Sequence, residues 1–148
     1  MNQEVLMKMI LLVVLVVFSI PSLGDVKNWR IIGKNGEFWL QHAVHLNVKA
    51  PITKRTGKSS VLESKSVGKD HEIIIYYTGM SGTFRLVDIY YAQIYDKRAK
   101  KFLGDYPWKY KSHGDNKAKL PQPKWKIGKN SISISDEQTD LKTVIKLN

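Results

Sequence analysis

Few side chains of this chain are placed to do chemistry. Ser81 sits in Gly79-Met80-Ser81-Gly82, close to the Gly-x-Ser-x-Gly elbow that exposes a serine nucleophile. Two features argue against that reading. The fifth residue is Thr83, and an elbow needs a helix after the turn, whereas the following residues alternate as a strand does. Small residues in a tight hairpin turn explain the motif better. The four histidines are His42, His45, His71 and His113. His42 and His45 are three apart, so on one strand they point to opposite faces. None has a carboxylate or histidine at the spacing of a zinc site, and the chain has no cysteine. No metal site and no cofactor are expected. Asp70 and Glu72 could act as acid and base, but carboxylates beside a turn are ordinarily solvated. No catalytic constellation emerges, and a non-enzyme is expected.

Binding chemistry is better represented. Residues 97–129 hold eleven Lys and Arg against Asp105 and Asp115, most of the net charge of +11. Phe102, Tyr106, Trp108, Tyr110 and Trp125 are interleaved with them. Concentrated positive charge attracts acidic partners and speeds encounter. Rings beside cations supply rigid contact area. Lys97, Arg98, Lys100 and Lys101 crowd one turn and must lie exposed, because burying four cations together is prohibitively unfavourable. Tyr106-Pro107-Trp108 is read either as a rigid aromatic anchor or as core.

The N-terminus reads as an export signal. Lys8 precedes an apolar run from Ile10 to Ile20, Pro21 breaks it, and Ser22-Leu23-Gly24 offers small residues for cleavage. The run falls short of the about 20 apolar residues a membrane span needs, and no lipobox cysteine follows, so no membrane anchor is expected. The expectation is a signal peptide over 1–24 and one β-rich binding domain over 25–148. A cysteine-free exported domain suits the bacterial periplasm, with secretion as the second choice. Export also argues against nucleic acid as the partner, despite a pI near 9.8.

Positioning these groups falls to strands. Residues 37–49 alternate apolar and polar with period two and predict one long strand. A short strand around 29–32 precedes it, joined through Asn35-Gly36, a strong hairpin signal. Residues 50–69 are polar and predict a loop with one weak strand near Val61. Glu72-Ile73-Ile74-Ile75-Tyr76-Tyr77 has the composition of a central strand. A turn over 78–82 leads to a long strand over 83–95, making a hairpin. A strand over 101–106 should stop at Pro107. Residues 124–127 and 131–135 form a hairpin about Gly128-Lys129-Asn130, and 143–147 closes the chain. The expected fold is all-β: an antiparallel sandwich or small barrel of seven or eight strands.

Four segments together carry a resemblance. Lys69-Asp70-His71-Glu72-Ile73-Ile74-Ile75, Gly79-Met80-Ser81-Gly82-Thr83-Phe84, Asp88-Ile89-Tyr90 and Gly104-Asp105-Tyr106-Pro107-Trp108 resemble the central part of the periplasmic inhibitors of invertebrate-type lysozyme. The resemblance implies a β-rich exported protein that inserts a Ser-Gly-x-Tyr loop into the lysozyme cleft. Ser81, Gly82 and Phe84 would be that loop, with Phe in place of Tyr. The family's Tyr-x-x-x-Lys motif has no match here. Its Asp-x-Asp-Gly turn is reduced to Lys69-Asp70-His71, which removes calcium ligands. Most lysozymes are basic and would be repelled by a chain of +11. A periplasmic bacteriocin immunity protein of the pesticin-immunity kind, blocking an acidic muramidase toxin steered to residues 97–129, fits the charge better. The expected function is inhibition of a peptidoglycan-degrading enzyme. The alternative is a binder of anionic cell-envelope polymers.

Overall fold

The structure, a computed structural model, describes residues 28–113 and 119–148. The expected export segment, 1–24, lies outside the described residues, as do Asp115 and Lys117 of the basic stretch.

The run Ile73-Ile74-Ile75-Tyr76 dictates the architecture. Successive strand side chains point to opposite faces, and all four are at most 2% exposed. Both faces of this strand must therefore be covered, and they are. The strand is β5 (His71–Ser81), inside a four-stranded sheet ordered β4-β5-β6-β7, where β4 is Ser60–Val67, β6 Val87–Asp96 and β7 Lys101–Ser112. On one face Ile73, Ile75, Ala92 and Ile94 pack against Ile132, Ile134 and Leu147. The last three belong to, or directly follow, a sheet of β8 (Lys124–Ile127), β9 (Ser131–Asp136) and β10 (Leu141–Lys146). On the other face Ile74 and Tyr95 pack against Trp29, Leu40 and Val48. These come from the sheet of β1 (Trp29–Lys34), β2 (Glu37–His42) and β3 (Lys49–Pro51), or its β2–β3 turn. The fold is an all-β sandwich of three antiparallel sheets with the four-stranded one in the middle. Each buried isoleucine contributes about 1.5–3 kcal/mol.

The central hairpin forms with shifted bounds, and the Asn35-Gly36 turn forms where expected. Both of its residues take positive φ, 54° and 79°, the two-residue geometry that matches strand twist. Other expectations are corrected. Ten strands form among the described residues, three sheets replace the two of a simple sandwich, and no barrel closes. The strand expected over 37–49 ends at His42. The His42 imidazole Nδ1 accepts hydrogen bonds from the Val44 and His45 amides, and the Gln41 amide donates to the Leu46 carbonyl at 2.8 Å. These bonds turn the chain into β3 and bring the His42 and His45 rings within 4.8 Å of each other, not to opposite faces. The weak strand expected near Val61 is the eight-residue strand β4. Residues 78–81 extend β5 and are not turn, whereas 83–86 are loop and not strand. Pro107 does not end β7. It lies on the sheet's edge strand beside a register shift, where a missing N–H costs no ladder bond.

The outer edge of β7 is closed by side chains. The Gln122 amide accepts from the Tyr110 N–H at 2.9 Å and donates to the Tyr110 carbonyl at 2.8 Å. The Trp125 indole donates to the Pro107 carbonyl at 2.8 Å.

Candidate functional site: the β5–β6 loop and its base

Ser81 is the last residue of β5 and is exposed. Gly82 follows with φ of 107°, a conformation closed to most side chains. A Cβ there would also overlap the Arg85 carbonyl oxygen. Glycine is thus required at 82, and it folds the loop tightly back on itself. At the tip, Phe84 is 101% exposed, and Leu86 is 41% exposed beside it. With Arg85, these make an apolar tip carrying one cation.

The loop stands on a braced base. The His113 amide donates to the Leu86 carbonyl at 2.8 Å. The His113 ring meets the Asp88 carboxylate at 3.1 Å, and the Tyr77 hydroxyl donates to the same carboxylate at 2.7 Å. Partial burial opposes ionisation of Asp88. The hydrogen bonds from Tyr77 and His113, with the charge of Lys111, outweigh it and hold the carboxyl below its ordinary range. Burial, followed by the hydrogen bond and charge of Asp88, pushes the Tyr77 hydroxyl up to about 12. The Tyr77–Asp88 hydrogen bond therefore persists through neutral pH.

A cleft of about 260 Å³ opens beside the loop, lined by Arg55, Ser81, Arg85, Tyr91, Tyr110 and Thr139 among others. Arg55 lies over the Tyr91 ring, 5.5 Å from its centroid. It is held there because residues 55–56 pair with β5 through Arg55 N–H to Thr78 and Met80 N–H to Thr56. Behind the cleft the Tyr110 hydroxyl donates to Asp136 at 2.7 Å, and Tyr76 donates to Asp105 at 2.6 Å. Burial raises the Asp105 carboxyl to about 7, against the opposing pull of Tyr76 and Arg55. Among the described residues no group of three or more His, Asp or Glu could hold a metal ion.

The sequence-predicted residues fall in three places. Ser81, Gly82 and Phe84 form the loop. Lys97, Arg98, Lys100 and Lys101 are all exposed, on a turn fastened by the Ala99 amide donating to Asp96. That turn joins β6 to β7, whereas the loop joins β5 to β6, so the two stand at opposite ends of β6. Ten residues of strand put about 30 Å between them. Tyr106 and Trp108 lie on β7, half-buried against the core shared with the β8–β10 sheet. Trp108 meets the Trp125 ring edge-on at 5.0 Å, and the Lys65 ammonium sits 5.2 Å from its centroid. Both rings serve packing first. Sequence reasoning missed Arg55, Arg85, Leu86 and Tyr91. Arg85 and Leu86 continue the strand-like alternation that runs to Tyr95. Arg55 and Tyr91 meet only through pairing between distant segments.

Comparison of the chain with protein-family models, curated proteins and solved structures finds no match.

Proposed function

We propose that this protein is an exported, non-enzymatic inhibitor that blocks a peptidoglycan-degrading enzyme by inserting the 82–86 loop into that enzyme's cleft. One observation carries the reading: Phe84 is fully exposed at the tip of a loop held by a required glycine and a hydrogen-bonded base. A phenyl ring left in water forgoes about 1.5–3 kcal/mol that burial would return. A partner cleft can recover it without first ordering the loop, and that preorganisation favours affinity. Ser81 and Gly82 bring backbone and hydroxyl groups close to whatever Phe84 enters. The basic 97–101 turn, about 30 Å away along β6, acts by long-range attraction of an acidic partner and not by contact with the loop's target.

The test is inhibition of peptidoglycan clearing by a panel of lysozymes and muramidases of differing net charge. Stoichiometric inhibition of an acidic member supports the reading. Failure to bind or slow any member of the panel, or clearing of peptidoglycan by the protein itself, contradicts it.

A further inference from the structure

The outward face of the β8–β9–β10 sheet is a second surface, independent of the loop, and its register is regular. Lys124, Ser135 and Lys142 align in one row across the three strands, and Lys126, Ser133 and Val144 align in the next. Ser131 pairs with Lys146 in the third. The alternate residues Trp125, Ile132, Ile134 and Ile145 turn inward to the core, so Lys124, Lys126, Lys142 and Lys146 all point outward and are exposed. The three serines on the middle strand are half-buried. The result is a trough of about 280 Å³, with Ser133 and Ser135 on its floor, Lys124 and Lys126 along one wall, and Lys142 and the exposed Val144 along the other; Ser131 and Lys146 continue the rows beyond it. Walls two strands apart stand about 10 Å from each other, and floor hydroxyls repeat at about 7 Å. The carboxylates nearby, Glu137 and Asp140, belong to the turn at one end. Glu137 reaches Lys124 at 3.5 Å with both groups well exposed, a contact of little energetic weight.

We infer that this trough binds a linear phosphodiester polymer lying along β9, with its phosphates over the serine hydroxyls and between the lysine walls. An extended phosphodiester with a three-carbon spacer repeats its charge at a length comparable to the floor spacing. Serine hydroxyls donate to phosphate oxygens, and lysines neutralise the chain and release its counterions. The face carries no aromatic ring, so bases have no stacking platform. A planar lipid surface would meet the lysine walls before reaching the serine floor, which favours a thin chain over a membrane.

The experiment titrates poly(glycerol phosphate) into the full chain at several salt concentrations. Lys124, Lys126, Lys142 and Lys146 are changed together to Ser in one variant. Lys97, Arg98, Lys100 and Lys101 are changed to Ser in a second, with the same loss of charge. Circular dichroism verifies both folds. The trough variant should bind at least about tenfold more weakly, and its log–log salt slope should fall by about 3, from four cations at roughly 0.7 each. The turn variant should stay within about threefold of the parent, because its cations lie off the trough. Ser133→Leu, which fills the floor without changing charge, should weaken binding at an unchanged slope. Equal losses in the two charge variants would reduce the trough to diffuse attraction and overturn the inference. So would absence of binding, or tighter binding to anionic phospholipid vesicles than to the polymer. Inhibition of a muramidase does not enter this measurement, so the inference stands or falls apart from the loop.

Discussion

Tyr76 donates its hydroxyl to the Asp105 carboxylate at 2.6 Å inside the central layer, while the second Asp105 oxygen is buried without a hydrogen-bond partner. Burial raises this carboxyl from 3.8 to about 7. The folded state therefore holds a proton that the unfolded chain releases. That contribution to stability is full below about pH 4, declines between about 4 and 7, and is gone above 7. Asp105→Asn keeps an acceptor for Tyr76 and removes the titration. The parent should lose stability relative to Asp105→Asn, on the order of a few kcal/mol, between pH 4.5 and pH 8. Urea midpoints of both proteins at the two pH values measure it. Parallel pH dependence in the two would place the titration elsewhere.

Trp108 should behave as a packing residue. It projects from β7 against Trp125 and the core, so Trp108→Ala should cost about 2–4 kcal/mol, toward the low end for a large core aromatic because the ring is only partly buried. Chemical denaturation gives the value. A variant as stable as the parent that has lost partner binding would restore the ring as an interface anchor.

Gln122 replaces a missing strand along β7, satisfying both backbone groups of Tyr110. Gln122→Ala should cost about 1–3 kcal/mol for the two bonds lost to Tyr110 and an exposed third to Leu120. It should also expose a strand edge able to pair with other chains. Static light scattering over time at constant temperature should show association in the variant and none in the parent.

The parts of this fold legible in the sequence are those with local causes. The run from Ile73 to Tyr76 announces a central strand because three β-branched residues and a tyrosine favour strand over helix. Asn35-Gly36 announces its turn because both residues accept positive φ. The strand β4 shows in the sequence only as a weak strand near Val61, because it lies at a sheet edge and leaves Leu62, Glu63, Lys65 and Ser66 exposed. The sequence expectation stops β7 at Pro107 because a proline's cost depends on whether the strand is an edge, which only topology decides. The break after His42 depends on a histidine capping two amides, a bond no periodicity reveals. The third layer was likewise invisible, since a face covered by a second sheet and one covered by solvent differ only in the company the strand keeps. At the candidate site, Ser81, Gly82 and Phe84 stand out only through the resemblance of their segment to a Ser-Gly-x-Tyr loop. The cleft beside them does not stand out, because Arg55, Tyr91 and Tyr110 come from three segments joined by the sheet.

The basic turn should set encounter rate. Changing Lys97, Arg98, Lys100 and Lys101 to Ser should slow association with an acidic muramidase several-fold at low salt and leave dissociation nearly unchanged. Surface plasmon resonance at two ionic strengths separates the rates. A change confined to dissociation would place this turn inside the interface.

The most direct measurement is the affinity of Phe84→Ala for a muramidase that the parent inhibits. Phe84 touches solvent on every side, so its removal should leave the melting temperature unchanged. If the ring enters the partner's cleft as the central anchor, affinity should fall by about 30-fold or more, the loss of roughly 2 kcal/mol that marks a binding hot spot. Binding and inhibition equal to the parent's, with the fold intact, would contradict insertion of this loop.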